Sequence, residues 1–578
     1  MEKSVKHFYI LFLLFVVFFS LTVDLPRRQR WGFFSDEAGY FAITQSLVHD
    51  GDLKYTKQDL LRIRKEFPSG PVGIFLKKGI DGELYYAKSF IYPLTAAPFF
   101  AVFGVNGLLL FNGLLLFLTL LMGYLLLKQY HPPAKSFFFS LVFIFASVTP
   151  VYIWWMTADL FNFFVMFGAL FFFFYQFKRQ WLFYISAVFF AVSVFSKPWN
   201  LAAVGIIYLF LLFNRQWKRF ILLTCCSAVL FAGLVFFLYA QTGELSYKLY
   251  MGGERRSFTT CFPYESPDCT FESGARMSFD NYWERFYTSP HIIVVNLFYY
   301  FFGRFTGVFI YFFPAFFLLV LFFFQRKVPG DWFMLAAIIT AVLVFTLLAP
   351  DNYFGGSGAV GNRYFFNIFP LFFFLGFRYR DRVFRFSVVP AAVALIFLSG
   401  VFIDSLYHST TPRYAGLSFP INLFPPEKTQ YLSLPTNENP RAFGKQVRSG
   451  DKTYQVYLIN DNYHPVEGGA YWTNGVKKLE LFVAVPGQVE EFEVTLETKT
   501  EKNKVSLQIE DKKKTMVLEP GRNYGVRFKK IRGLKMKNKY IYHLGIKSSK
   551  SYCGFMDNPE QDPDRRDLGV KFHLAVNY

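Results

Sequence analysis

The chain runs to 578 residues, 53% hydrophobic and 21% aromatic, with 79 phenylalanines and a formal net charge of +20. Runs such as "FYILFLLFVVFF" and "LFFFFYQF" are apolar on every side, which excludes a soluble globular protein and makes lipid the solvent for much of the chain. The positive charge does not mark a nucleic-acid binder, because it lies in short clusters between apolar runs rather than along one face.

The first apolar run, residues 7–25, begins like a cleaved signal peptide, but its length and the lack of a small-x-small site before "DLPRRQR" favour a retained anchor. Further spans are expected near 105–127, 136–156, 159–177, 181–196, 199–213, 219–240, 306–324, 331–349, 364–377 and 386–404, about eleven in all. Basic clusters at every second loop, among them Lys128 to Lys135, Arg215 to Arg219 and Arg378 to Arg385, assign those loops to the cytoplasm. With the N-terminus inside, an odd number of spans leaves residues 28–88, 241–290, 350–363 and 405–578 on the extracytoplasmic side. Lys197-Pro198 interrupts two short runs, which fit half-helices meeting at an outward-facing cavity.

The first external segment opens with "FFSDEAGYFAITQSL", where Asp36 and Glu37 stand side by side. Ser35 followed by two acids is also a helix start, so one carboxylate has a plain capping role open to it. "QDLLRIRKEF" suits a helix lying in the membrane interface. "GIDGELYYAKSF" reads as a hairpin turning at Asp81-Gly82, and "IYPLTAAPFFAVFG" leads back into the membrane.

In the second external segment, Cys261 and Cys269 bracket "CFPYESPDC". In an oxidising compartment they are expected to close a small ring, the alternative being two unpaired thiols. Cys225 and Cys226 lie inside a span and read as packing residues. No C-x-x-C or H-x-x-x-H spacing is present to hold zinc, and no N-x-[ST] sequon occurs, which favours a bacterial envelope.

Beyond Tyr407 the phenylalanine runs stop. After a linker at 406–440, alternating segments such as "EEFEVTLETKT" and "NKVSLQIED" separated by turn residues predict an antiparallel β-sandwich over 441–578, following a membrane domain over 1–405. In "NYHPVEGGAYWTNGVKKLELFVAV", Glu467 and Trp472 fit an acceptor-binding, sugar-stacking face, with burial of Trp472 in the core as the alternative.

Four features stand in a fixed order: an acidic pair after the first span, "Y-x-K-x-x-x-Y-P-L-x-x-x-P-F-x-x-x-F-G" from Tyr86 to Gly104, Asp159 near the third span, and "G-x-G-x-x-G-N-R-Y-F" ending at Phe365. In that order the chain resembles the GT-C superfamily of integral membrane glycosyltransferases, of the protein O-mannosyltransferase and aminoarabinose-transferase type. The resemblance covers roughly residues 1–405. It implies a polytopic α-helical fold and transfer of a sugar from a polyprenyl-phosphate donor to an acceptor glycan, lipid or protein.

Such a transfer needs a base for the acceptor hydroxyl and cations for the departing phosphate. The resemblance makes Asp36 the leading base, Glu37 its orienting neighbour and Asp159 the second acid. Lys197 in "VFSKPWNL" and Arg363 after "GGSGAVGN" are the leading phosphate cations, since a boundary charge needs an anionic partner and guanidinium binds phosphate through two hydrogen bonds. Lys88 and Arg304 complete the set, while Glu265, Asp268 and Glu272 are looser candidates. No Walker-type G-x-x-x-x-G-K-[ST] occurs. Neither a cofactor nor a metal is expected. The implied location is a bacterial inner membrane, with the β domain in the periplasm or outside the cell. A lipid or polysaccharide transporter is the rival reading, disfavoured because the notable acids fall at span boundaries rather than mid-span.

Overall fold

A computed structural model describes residues 3–24, 33–68, 70–243, 254–277, 289–356, 358–379, 385–411, 413–434, 445–449, 452–467, 470–499, 501–557 and 564–578. The chain forms two compact units. One holds Met1–Tyr287, Leu297–Ala349 and Tyr353–Leu423; the other holds Thr288–Asn296, Pro350–Asn352 and Phe424–Tyr578.

The first unit is helical. Among the described residues, four helices are long and apolar enough to cross a membrane: Lys3–Thr22, Val105–Leu127, Trp217–Thr242 and Pro329–Leu348. The other expected spans are shorter helices, Pro133–Phe145, Ala158–Phe174, Ile185–Ser196, Leu201–Phe213, Phe313–Phe324, Arg363–Gly376 and Val388–Ile403. Two expected spans are cut short by identifiable residues. The run at 136–156 stops as a helix at Phe145 and continues as a 3-10 turn, Thr149–Ile153, around Pro150. The run at 306–324 breaks at Phe312, and Pro314 then stands in the first turn of the following helix, where its missing N–H costs nothing. Apolar helices Ile91–Phe103 and Pro290–Phe302 were not expected as helices.

Between the first apolar helix and Ile91 the chain builds a small mixed subdomain. Thr56 caps helix Lys57–Glu66 through a reciprocal box with Asp59. The hairpin pairs Ile74–Lys78 with Leu84–Tyr86, and at its turn Gly82 takes φ +83° while Asp81 accepts from the Glu83 amide at 3.0 Å. Strand Arg255–Phe258, some 180 residues on, adds to this hairpin with Lys77 opposite Arg255 and Ile74 opposite Phe258, and Ala275–Met277 pairs outside it. One sheet therefore joins two distant segments of sequence.

The second unit takes in the start of helix Pro290–Phe302, and from Phe424 onward its described residues are all-β apart from short turns and a four-residue helix. One sheet orders strands Tyr524–Lys529, Glu491–Glu497, Leu568–Asn577, Ala470–Asn474 and Tyr463–Glu467; the other runs from Lys512–Leu518 through Asn503–Ile509, Lys539–Ser548, Leu479–Val485 and Lys452–Leu458 to Lys445–Ser449. All pairings are antiparallel. Side chains of both sheets, such as Phe492, Val494 and Phe572 with Leu481, Val483 and Leu544, share one core. Glu491–Glu497 alternates buried and half-buried positions, but Leu479–Val485 is buried throughout. Its second face is covered as well: Phe482 lies 5.8 Å from His543, Glu480 pairs with Lys478 at 3.0 Å, and Tyr431 packs on Tyr457 of the neighbouring strand. Residues before 441 thus belong to this unit, and the Gln430 amide fastens them by donating to the Pro350 carbonyl at 2.8 Å, as Asn296 also does.

Candidate active site

Asp36 sits in the first turn of helix Ser35–His49 and is 7% exposed. Its two carboxylate oxygens take different cations: Lys88 Nζ donates to Oδ1 at 2.5 Å and Arg363 Nη2 to Oδ2 at 2.8 Å. Lys88 follows the hairpin, and Arg363 opens helix Arg363–Gly376, whose start is capped by Asn362 Oδ1 accepting from the Phe365 amide at 2.9 Å. The preceding glycines make room for the guanidinium. A Cβ on Gly355, at φ +93°, would lie 2.5 Å from Arg363 Nε.

A second ion pair adjoins the first. Asp159, in the first turn of helix Ala158–Phe174 and 2% exposed, receives the Thr157 hydroxyl on Oδ2 at 3.1 Å. Its Oδ1 has no hydrogen-bond partner among the described residues and faces Lys197 Nζ at 3.8 Å. Lys197 closes helix Ile185–Ser196, with its ammonium 5.5 Å from the Tyr364 ring centre. Arg363 lies over the same ring at 5.7 Å and over Trp155 at 5.5 Å, which brings the two pairs into one cluster. Three helices begin at this cluster and one ends there, so the charges gather at a common end of these helices.

Glu37 plays a different part from its neighbour. Its Oε1 accepts the Met156 amide at 3.2 Å, tethering the loop that carries Trp155 and leads to Asp159.

Sequence reasoning missed Arg255. It stands in the distant strand of the shared sheet, and its guanidinium lies 4.6 Å from the Phe75 ring centre, the same distance as Lys88 Nζ. Its position follows from strand pairing across the chain, and no local motif announces it. Among the described residues, the ion pairs of Lys88 and Arg363 with Asp36 and of Lys197 with Asp159 thus have a further cation, Arg255, nearby, and charges gathered in so buried a place are stable only when paired.

The protonation states follow from the same crowding. Burial works against charge on Asp36, but Lys88 and Arg363 outweigh it and hold the carboxyl well below the usual carboxylate range. Lys88 is pushed down to about 8, chiefly by burial, with Arg255 and Arg363 adding to the effect against the pull of Asp36.

The remaining candidates lie elsewhere. Arg304 is buried, its backbone carbonyl accepting from the Tyr311 hydroxyl at 2.7 Å, and it is not among the residues these ion pairs join. Cys261 and Cys269 form a disulfide. Glu265 binds Arg64 at 2.7 Å. Trp472 is 7% exposed on the strand beside Lys571, whose ammonium is 5.9 Å from its ring centre. Glu467 lies opposite Ala470 in the ladder, and its side chain is outside the described residues. Among the described residues no group of three or more His, Cys, Asp or Glu side chains is arranged to hold a metal ion.

No family model matches the chain, and no curated protein matches it. Among solved structures the chain is similar to ArnT from Cupriavidus metallidurans bound to undecaprenyl phosphate, at 14% identity and a TM-score of 0.42 over 70% of this chain. The chain spans 66% of that protein.

Proposed function

We propose that the chain is an integral membrane glycosyltransferase of GT-C type, moving a sugar from a polyprenyl-phosphate donor to an acceptor hydroxyl on the extracytoplasmic face of a bacterial inner membrane. In this reading the apolar helices make about eleven spans, several of them short or broken around the site, and the C-terminal unit is an extracytoplasmic β-sandwich. The observation that carries the proposal is the buried cluster of Asp36, Lys88 and Arg363 beside Asp159 and Lys197, gathered where three helices start and one ends. The ordered sequence motifs point the same way.

The chemistry follows from the charges. The acceptor oxygen attacks the anomeric carbon, the bond from that carbon to the phosphate oxygen breaks, and the phosphate leaves with the electron pair. A donor phosphodiester carries one negative charge and the released monoester up to two. Preorganised cations therefore bind the product side of the reaction more strongly than the ground state, which is the condition for acceleration.

With Lys88 and Arg363 on its two oxygens Asp36 is a poor base, because both oxygens are engaged and its proton affinity is low. A phosphate that draws Lys88 and Arg363 toward itself releases those oxygens and raises that affinity, coupling donor binding to base activation. Asp159, whose Oδ1 faces the Lys197 ammonium, steadies the acceptor or that ammonium.

The test is transfer from a panel of radiolabelled polyprenyl-phosphate sugars by the protein purified in detergent. Asp36→Asn is expected to lower turnover by about 10²–10⁴-fold, the usual worth of a general base, in a protein that still elutes as a folded species. Transfer at near-normal rates would overturn the assignment.

A further inference from the structure

The ring closed by Cys261 and Cys269 sits three residues beyond the strand that carries Arg255. That strand is only four residues long and holds its place through its ladder with Ile74–Lys78 on one side and Ala275–Met277 on the other. A ladder so short supplies little stability by itself, since each hydrogen bond contributes modestly in net terms. Yet the closeness of Arg255 to Lys88 at the shared Phe75 ring depends on that pairing holding its register.

The ring supplies what the ladder lacks. Phe262, 3% exposed, enters the core of the first external subdomain, and the Arg64 guanidinium lies 5.8 Å from its ring centre. Glu265 receives Arg64 through Oε1 at 2.7 Å and the Phe262 amide through Oε2 at 3.1 Å. Tyr264 stacks on Tyr55 with centroids 6.0 Å apart and planes 27° from parallel. Three side chains of a ring closed over a sequence separation of eight thus dock together on the subdomain that includes helix Lys57–Glu66. Cross-linking so short a loop removes most of the freedom that would otherwise let these contacts form and break separately.

We propose that the Cys261–Cys269 ring is a positioning element for the reaction: a plug on the first external subdomain that fixes the register of Arg255–Phe258 and so holds the Arg255 cation beside Lys88 for the donor phosphate. This rests on the glycosyltransferase reading, and it assigns the disulfide to donor binding rather than to the chemical step.

The experiment measures donor KM, kcat and direct binding of undecaprenyl phosphate for the full chain in detergent. The proteins compared are the wild type, oxidised and treated with dithiothreitol, the double variant Cys261→Ser/Cys269→Ser, Tyr264→Ala and Arg255→Ala. Opening the ring or removing Tyr264 is expected to raise donor KM and Kd about tenfold, the weight of one charge-assisted contact, with kcat changed less than about twofold. In Arg255→Ala, dithiothreitol is expected to add nothing further, because the contact that the ring positions is already gone. Tyr264→Ala leaves both thiols in place and covers the case in which the double serine variant does not fold.

Wild-type KM and Kd in the opened forms would overturn the proposal, as would a loss confined to kcat. A full additional effect of reduction in Arg255→Ala would also overturn it. If the oxidised wild type binds no polyprenyl phosphate at all, the glycosyltransferase reading fails and this proposal with it. Binding in the wild type that is indifferent to the ring defeats this proposal alone.

Discussion

Arg363 and Asp36, 327 positions apart in sequence, meet through Nη2 and Oδ2 at 2.8 Å with almost no access to solvent. The pair joins the start of one helix to the start of another, and Lys88 completes it from a third segment. Removing one partner of a buried ion pair leaves the other charge stranded, which costs about 3–5 kcal/mol. Arg363→Ala is therefore expected to lower the midpoint of thermal unfolding as well as donor use. The triple variant Asp36→Leu/Lys88→Met/Arg363→Met, which strands none of the three charges, is expected to recover much of the unfolding temperature while remaining inactive. Equal instability of the single and triple variants would mean that these ion pairs are not the stabilising contacts.

Gly355 gives a way to disturb Arg363 without removing it. A methyl group there would press on the guanidinium stem at 2.5 Å from Nε, in a backbone conformation that side chains rarely adopt. Gly355→Ala is expected to cost about 1–3 kcal/mol of stability from backbone strain and to raise donor KM by about tenfold as the guanidinium shifts from the cluster. Steady-state kinetics against donor concentration checks it. An unchanged KM would show that Arg363 does not need its present place.

Lys88 sets the alkaline limit. With its ammonium pushed down to about 8, the cluster loses one cation as pH rises through that value. Donor kcat/KM is expected to fall above pH 8, and Lys88→Arg to move the fall to higher pH. Stability runs the other way. The unfolded chain holds this proton up to the ordinary lysine value near 10.4, so between about 8 and that value the unfolded state binds more protons and the Lys88 contribution to stability rises with pH. At the acid end Asp36, held low by its partners, contributes stability that is present above the ordinary carboxylate pKa and is lost as pH falls toward its own. A loss of activity above pH 8 in step with a falling unfolding temperature would point to global unfolding instead.

Lys197 and Arg363 both lie beside Tyr364. Each is expected to weaken donor use by about one to two orders of magnitude when replaced by alanine. If they grip one phosphate the losses do not add, and a double-mutant cycle on donor KM should give an interaction of at least about 0.5 kcal/mol. Strict additivity would place the two cations on different groups.

Glu37 separates positioning from chemistry. Its Oε1 accepts the Met156 amide, a contact that a glutamine carbonyl also satisfies. Glu37→Gln is expected to keep turnover within about fivefold, and Glu37→Ala to lose about tenfold or more through release of the Trp155–Asp159 loop. A glutamine variant as dead as Asp36→Asn would show that the charge itself is used.

The parts legible in the sequence were those written locally. Val105–Leu127 has the bounds expected of an uninterrupted apolar run, and the hairpin at Asp81-Gly82 announces itself through turn chemistry. Ile91–Phe103 was hidden because Pro93 and Pro98 make a helical run read as a lead-in. At the site, the residue types of Asp36, Lys88 and Arg363 stood out in short motifs, but that one carboxylate holds both cations is a fact of tertiary contact. Arg255 carries no motif at all, because what places it is a sheet formed between residues about 180 positions apart.

Helix Trp217–Thr242 carries its own ruler. Only 11% of its most apolar window is buried by protein, so its surface is finished by whatever surrounds it. Trp217 and Tyr239 are exposed near its two ends, at 59% and 39%. They lie 22 residues apart (239 minus 217), a rise of about 33 Å, close to the roughly 30 Å hydrocarbon thickness that interfacial aromatic rings bracket. A bilayer of that thickness holds both rings at its boundaries with little tilt, whereas a thinner one must tilt the helix or pull one ring inward.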